Sequence, residues 1–324
     1  MRTPSELLQL FNTHLAQLPL DRKPAGLYEP VRYELSLGGK RIRPVLMLLA
    51  YQLYREDVEA IMPTALGIEM YHNYTLLHDD VMDRADMRRG KPTVHKVWND
   101  NTAILSGDAM LVLAYQLMSR TAPEHLTQVL ARFTETALEI GEGQQYDMEF
   151  ESRADVTEQE YIEMIRLKTS VLLAAALEIG AMQADAPAAD CRALYDFGQY
   201  LGLAFQLQDD LLDVYGDPAT FGKQIGGDIL CNKKTFMLIH ALLAADAAQR
   251  ATLDRWLFAS EFDAAEKIAA VTEIYNQLDI RQLAEAKIDE YFSLALAQLD
   301  ALSIEPARKQ TLASLAHSLM GRKS

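Results

Sequence analysis

The stretch "LLHDDVMDRADMRRGKPT", residues 76–93, sets three acids, Asp79, Asp80 and Asp83, against Arg88, Arg89 and Lys91. Apolar and aromatic residues precede it ("YHNYTLLH", 71–78), and Gly90 and Pro92 interrupt its far end. Asp79 and Asp83 are four apart and share one face of a helix. A lone D-D-x-x-D is more often a solvated acidic face than a site. Here the pattern returns. "FQLQDDLLDVYGD" (205–217) places Asp209, Asp210 and Asp213 at the same spacing after another apolar run. Like charges this close are costly unless a cation compensates them. Carboxylate oxygens suit Mg²⁺, a hard ion that shares its shell with water and phosphate. Two such clusters across a cavity would hold a Mg²⁺–phosphate group between them, and the matched pair carries that reading.

Outward from these motifs the chain reads as helix. Apolar residues recur at three- and four-residue steps over 41–54, 64–82, 101–118, 125–150, 158–184, 188–215 and 235–247, and again over 262–320. Gly and Pro fall mostly between these segments, at Pro24, Gly38-Gly39, Pro63, Gly90, Pro123, Pro187, Gly216 and Pro306. No alternating strand pattern persists and no linker divides the chain. The expectation is one all-α domain over residues 1–324, with ten or more helices. Segments apolar on most sides belong at its centre.

Composition narrows the function classes. The 324 residues hold 31 basic and 46 acidic side chains, a net charge of −15, which disfavours nucleic acid or an anionic membrane surface as partner. Two cysteines, Cys191 and Cys231, stand in no metal-ligand spacing and imply no disulfide framework, so a cytoplasmic setting is expected. The longest apolar runs are too short and too interrupted to be an integral membrane segment.

In this acidic chain, bases stand beside each acid cluster. "GGKRIRP" (38–44) puts Lys40, Arg41 and Arg43 after a glycine turn at a helix start, where exposed N–H groups favour anions. Arg88 and Arg89 follow the first motif. "FGKQIGGD" (221–228) carries Lys223 after the second, with Lys233 beyond. Any one of these alone is an ordinary surface charge. Together they describe a polyanion site, with the acids acting through metal and the bases directly.

The ordered set "GGKRIRP", "DDVMD…RRGKPT", "GQQYD", "KTS", "FQLQDDLLD" and "GKQIGGD…NKKT" resembles the trans-isoprenyl diphosphate synthases, the family of farnesyl and geranylgeranyl diphosphate synthases. The resemblance implies an all-α, isoprenoid-synthase-type bundle around a deep central cavity, usually a homodimer. It also implies head-to-tail condensation of an allylic prenyl diphosphate with isopentenyl diphosphate, dependent on Mg²⁺. By resemblance, Asp79, Asp83 and Asp209 contact metal, and Asp80, Asp210 and Asp213 are either ligands or structural. Arg88, Lys168, Lys223 and Lys233 hold the allylic diphosphate. Lys40, Arg43, His72 and Arg89 hold isopentenyl diphosphate. Thr169 and Gln206 face the allylic cation with dipoles that cannot trap it. Gln144 and Asp147 of "GQQYD" are either cavity-lining or solvated.

Product length reads from the residues before the first aspartate. In the family, bulk at Thr75, Tyr74 and Tyr71 acts as a floor. Tyr74 lies about 7.5 Å below Asp79 along an ideal helix and Tyr71 about 12 Å, while phase brings Tyr71 and Thr75 nearer the aspartate face. A fifteen- to twenty-carbon product is expected, twenty favoured, with longer chains the alternative. Two other readings stand beside it. A terpene cyclase of this fold generally replaces the second motif with an Asn/Ser/Glu triad, whereas this chain has Asp209-Asp210-Leu-Leu-Asp213. A non-catalytic partner subunit commonly loses an aspartate motif, and both are present.

Overall fold

A computed structural model describes residues 1–217 and 225–321. It is helical almost throughout: α1 (Pro4–Ala16), α2 (Ala25–Ser36), α3 (Ile42–Gln52), α4 (Met62–Met82), α5 (Val94–Val97), α6 (Asp100–Met118), α7 (Pro123–Ser152), α8 (Glu158–Ile165), α9 (Val171–Gln183) and α10 (Ala188–Tyr215). Helices Gly227–Leu230, Phe236–Ala244, Ala247–Leu257, Ala264–Gln277, Ile280–Asp300 and Pro306–Met320 follow. The periodic segments of the sequence coincide with these helices. In the tail, the 262–320 pattern is divided at Asp279, a left-handed residue (φ 53°), and before Pro306.

One departure from the all-helical expectation is a small antiparallel hairpin, Met87–Arg88 with Lys91–Pro92. Its two-residue turn is Arg89–Gly90, and both have positive φ (53° and 75°). That is the twist a tight hairpin needs. The Tyr33 hydroxyl holds it from outside by donating to the Pro92 carbonyl at 2.7 Å.

The chain groups into two units: Met1–Thr134 with Ala175–Leu194 and Ser303–Leu312, and Glu135–Ala174 with Tyr195–Leu302 and Ala313–Ser324. In the first, α4 is the central helix, and every residue from Thr64 to Tyr71 is buried. Gly67 lets α6 lie close, because a Cβ there would stand 3.2 Å from the Ala114 carbonyl. Such all-round burial marks a helix enclosed by others.

In the second unit the segment read as one helix over 158–184 is interrupted. Arg166–Ser170 forms a π-helical turn between α8 and α9. Such bulges recur at functional sites, and this one carries Lys168 and Thr169. Two glycines allow neighbouring backbones against it. A Cβ on Gly143 would lie 2.4 Å from the Lys168 nitrogen, and one on Gly202 would lie 2.6 Å from the Ser170 Cα. Both obstacles are backbone, which cannot rotate aside. Gly143→Ala is therefore expected to destabilise by about 1–3 kcal/mol, as overpacking does. Urea unfolding measures it, and an unchanged midpoint would show that the turn is not held by close approach.

Candidate active site

In the first unit, α4 ends at the first aspartate motif, with Asp83 as its C-cap. The three acids part ways. Asp83 is exposed, Asp79 is half-buried, and Asp80 is buried at 2% exposure. Asp80 Oδ2 accepts from Arg88 Nε at 2.7 Å, and Arg88 Nη2 reaches Asp79 Oδ2 at 3.3 Å. Burial raises the Asp80 carboxyl, and the Arg88 bond opposes that rise. One guanidinium thus bridges two carboxylates, the charge-assisted arrangement that makes a buried acid tolerable. Asp80 is thus held through Oδ2, while its buried Oδ1 has no hydrogen-bond partner.

Arg88 and Arg89 diverge as the hairpin dictates. Arg88 lies on a strand and returns to the aspartates. Arg89 occupies the turn and donates to the Gly38 carbonyl. Gly39 (φ 135°) accommodates it, since a Cβ there would come within 3.0 Å of the Arg89 guanidinium. The "GGKRIRP" block is thereby joined to the hairpin.

Within that block the three bases also separate. Lys40 is exposed. Arg41 is buried and is the N-cap of α3 with φ 50°; its Nη1 donates to Glu69 Oε1 at 2.6 Å and its Nη2 to the Leu35 carbonyl at 2.7 Å. It is a scaffold residue. Arg43 Nη1 lies 3.2 Å from His72 Nε2. A guanidinium only donates, so His72 accepts at Nε2 and carries its proton on Nδ1. Burial, then Arg43 and the other arginines, hold the imidazole well below its usual range, so it is neutral. Burial pushes Arg43 down to about 10 with Glu69 opposing, which leaves it charged at neutral pH. Its Nε is a buried donor without a partner. These groups offer an anion a cation and a neutral imidazole N–H.

The floor residues lie on the same helix. Tyr71 is buried at 2% exposure, its ring 5.4 Å from Tyr74 and 5.2 Å edge-on from Phe133 of α7. Tyr115 meets Phe133 at 5.0 Å, and Tyr74 meets His78 edge-on at 4.8 Å. The Thr75 hydroxyl donates back to the His72 carbonyl at 2.8 Å. The sequence reading missed Phe133, because nothing in the local pattern of "LARFTETALEI" distinguishes it from any core aromatic.

In the second unit, α10 presents the other motif, and its acids divide in a similar way. Asp209 is half-buried and Asp210 is buried at 7% exposure. Asp210 accepts from the Tyr161 hydroxyl at 2.5 Å and from Gln206 Nε2 at 2.9 Å. Burial, reinforced by Asp228, raises its carboxyl, and these bonds oppose the rise. Asp213 Oδ2 accepts the Asp228 N–H at 3.0 Å, and the Asp213 carbonyl takes that of Gly226, fastening the start of the next helix. Thr169 donates to Gln206 Oε1 at 3.1 Å, and Lys168 Nζ to Asp147 Oδ2 at 2.6 Å. A cavity of about 60 Å³ is lined by Tyr161, Lys168, Thr169, Gln206, Asp210 and Lys233, among others. Lys223 lies outside the described residues. Tyr161 was also missed; it sits in an ordinary amphipathic helix and carries no motif signal.

The residues fit Mg²⁺ in kind. Asp79, Asp83 and Asp209 are hard oxygen donors, two half-buried and one exposed. Among the described residues no three His, Cys, Asp or Glu side chains are gathered tightly enough to hold a metal by themselves. Mg²⁺ is commonly held by one or two carboxylates plus substrate phosphate, so the leading acids of each motif, taken separately, suit a metal that arrives with its anion.

A helical fold with two aspartate motifs, each accompanied by bases, is that of a prenyl diphosphate synthase. The polyprenyl synthetase family model matches residues 24–277. A short chain isoprenyl diphosphate synthase of Methanocaldococcus jannaschii is 44% identical over 71% of each chain. One from Methanothermobacter thermautotrophicus is 36% identical over 94% of this chain and 92% of its own. A solved geranylgeranyl pyrophosphate synthase superposes with a TM-score of 0.95 at 43% identity over 100% of both chains. The chain belongs to the polyprenyl synthetase family.

Glu34 of α2 was not anticipated. It is fully buried, and neither carboxylate oxygen has a hydrogen-bond partner. Burial, then Asp80, push it up from 4.5 to about 7, with Arg88, Arg89 and Arg41 opposing. The folded protein therefore holds this proton more tightly than the unfolded chain. The stability it contributes is complete below the unfolded value and lost as pH rises through the folded one. Glu34→Gln cannot ionise. Its unfolding midpoint is expected to exceed the parent's by more at about pH 8 than at about pH 5. A constant difference between the two pH values would refute this.

Proposed function

We propose that the protein is a trans-prenyltransferase that condenses an allylic diphosphate with isopentenyl diphosphate to make a twenty-carbon all-trans prenyl diphosphate. A fifteen-carbon product is the near alternative, and a longer-chain synthase, a cyclase and a non-catalytic partner subunit are the remaining ones. The observation that carries the reading is the shared division of the motifs. In each, the second aspartate is buried and bonded within its own unit, while the leading aspartate stays half-buried. Leading acids so presented are suited to an incoming metal–diphosphate.

In the reaction the allylic C–O bond breaks and pyrophosphate leaves. The isopentenyl double bond attacks the allylic carbon, a C–C bond forms, and a proton is lost to the departing pyrophosphate. Asp79, Asp83 and Asp209 would hold Mg²⁺, which when bound neutralises charge on the leaving group. Arg88, Lys168, Lys233 and Lys223 hold the allylic diphosphate. Lys168 rests against Asp147, so the anion exchanges with a carboxylate already in place. Lys40, Arg43, Arg89 and neutral His72 hold isopentenyl diphosphate. Thr169 and Gln206, bonded to each other, line the cation's path with oriented dipoles.

We read residues 1–324 as one polyprenyl synthase domain that forms a homodimer. Exposed Leu105 and Val112 on α6 support a second copy there; they are 59% and 68% accessible. Two free cysteines are consistent with a cytoplasmic setting. Among the described residues no helix is long and apolar enough to cross a membrane. The net charge of −15 argues against nucleic acid.

Incubation with Mg²⁺, isopentenyl diphosphate and an allylic primer tests the reaction. Condensation needs both substrates, cyclisation only the primer, and a scaffold does nothing. Asp79→Ala and Asp209→Ala are each expected to lower turnover by orders of magnitude without unfolding. Near-normal turnover at saturating Mg²⁺ in either would remove that residue from the metal site.

The floor can be tested separately. Tyr71, between Tyr74 and Phe133, is the buried ring, and Thr75 adds little bulk. Tyr71→Ala, with Tyr74→Ala or Phe133→Ala added, replaces aromatic volume with a cavity. Chromatography of dephosphorylated products is expected to show longer chains. Unchanged lengths in both double variants would put the floor elsewhere.

A further inference from the structure

The second motif is tied to a residue outside every motif of the sequence. Tyr161 of α8 is 1% exposed, and its hydroxyl donates to Asp210 Oδ2 at 2.5 Å. Asp210 Oδ1 is taken by Gln206, whose amide orientation is in turn set by Thr169. Burial holds the phenol proton on Tyr161 far above the working pH range, so the group is a permanent donor. Asp210 has two oxygens, and each has one donor from a different direction. Its χ angles are therefore restrained, on the turn of α10 that also carries Asp209.

We propose that Tyr161 is a positioning residue for the metal–diphosphate site. By anchoring Asp210 it sets the orientation from which Asp209 meets a divalent cation bound to pyrophosphate. It also keeps the Asp210 carboxylate from swinging out to compete as a ligand. This rests on the reading of Asp209 as a metal ligand. Tyr161 acts through Asp210, touches no reacting atom, and is not a catalytic residue.

The test uses the full-length protein, Mn²⁺ as a paramagnetic stand-in for Mg²⁺, and inorganic pyrophosphate. Free Mn²⁺ is read by electron paramagnetic resonance, so no turnover is needed. Tyr161→Phe keeps the ring and removes only the donor. It is expected to weaken pyrophosphate-dependent Mn²⁺ binding roughly tenfold, the scale of losing an outer contact of a metal site, while staying folded with the lower unfolding midpoint that a lost buried hydrogen bond brings. Asp210→Ala, which removes the acceptor of the Tyr161 bond, is expected to weaken it comparably. The double variant should be no worse than Asp210→Ala alone, because both remove one coupling. Unchanged affinity in Tyr161→Phe, or additive losses in the double variant, would overturn the proposal. If Tyr161→Phe does not fold, Asp210→Ala decides it: Tyr161 then has no carboxylate to hold, and unchanged binding would refute the anchor. Asp209→Ala separates the two ideas. If it also binds Mn²⁺ normally, the metal reading has failed. If it loses binding while Tyr161→Phe does not, only the positioning role has failed.

Discussion

Carboxylates crowded at helix ends constrain this protein more than any other feature. Two i, i+4 pairs with a further acid between them cannot be buried bare, because their repulsion and desolvation both oppose folding. Each unit meets the constraint by removing the middle acid from the problem. In the first, Arg88 bridges Asp80 and Asp79. In the second, Tyr161 and Gln206 each donate to Asp210. The surroundings of each motif reflect these choices. The hairpin turn at Arg89–Gly90 exists where Arg88 must return toward α4. The π-helical turn brings Thr169 to Gln206.

The parts of the fold written as periodicity were legible. The boundaries of α4, α6, α7 and α10 fall within a few residues of the apolar pattern, since a buried helix face leaves a regular trace. The bases beside each aspartate motif were also legible, because charge in an apolar context needs a reason. What could not be read depends on long-range packing. The π turn at 166–170 has no local signature; it depends on Gly143 and Gly202, far away in sequence, leaving room for it. Within "GGKRIRP" the sequence offers three equivalent cations. Only the left-handed backbone at Arg41 turns that one inward to Glu69 and leaves Arg43 beside His72. Tyr161 and Glu34 were invisible for the same reason: each is one polar residue in an amphipathic helix, and only tertiary contact tells whether it is solvated or enclosed.

His72 shows how far the environment overrides residue type. A histidine on a mostly apolar helix would ordinarily be a satisfied core residue. Here burial and nearby guanidinium groups fix it neutral, and the Arg43 contact fixes its tautomer. A neutral N–H donor next to a cation can bind an anion without adding a second buried charge. That is less costly than a pair of adjacent guanidinium groups, which would repel each other.

The two aspartate motifs are therefore alike in sequence but different in electrostatics. Asp80 is compensated by a full positive charge, so part of the first motif's field is cancelled by Arg88 before any ligand arrives. Asp210 is bonded to a phenol and an amide, which satisfy its lone pairs without a formal counter-charge. Neutral donors restrain the geometry of an acid while leaving more of its field in place. A divalent cation approaching Asp79 must share that carboxylate with a guanidinium already 3.3 Å away. The arginine cannot lose its proton, so it can only be displaced toward another anion. A diphosphate supplies that anion. If Asp79 holds metal as proposed, the first motif would accept it together with phosphate rather than alone, which is also how Mg²⁺ is ordinarily held at such sites.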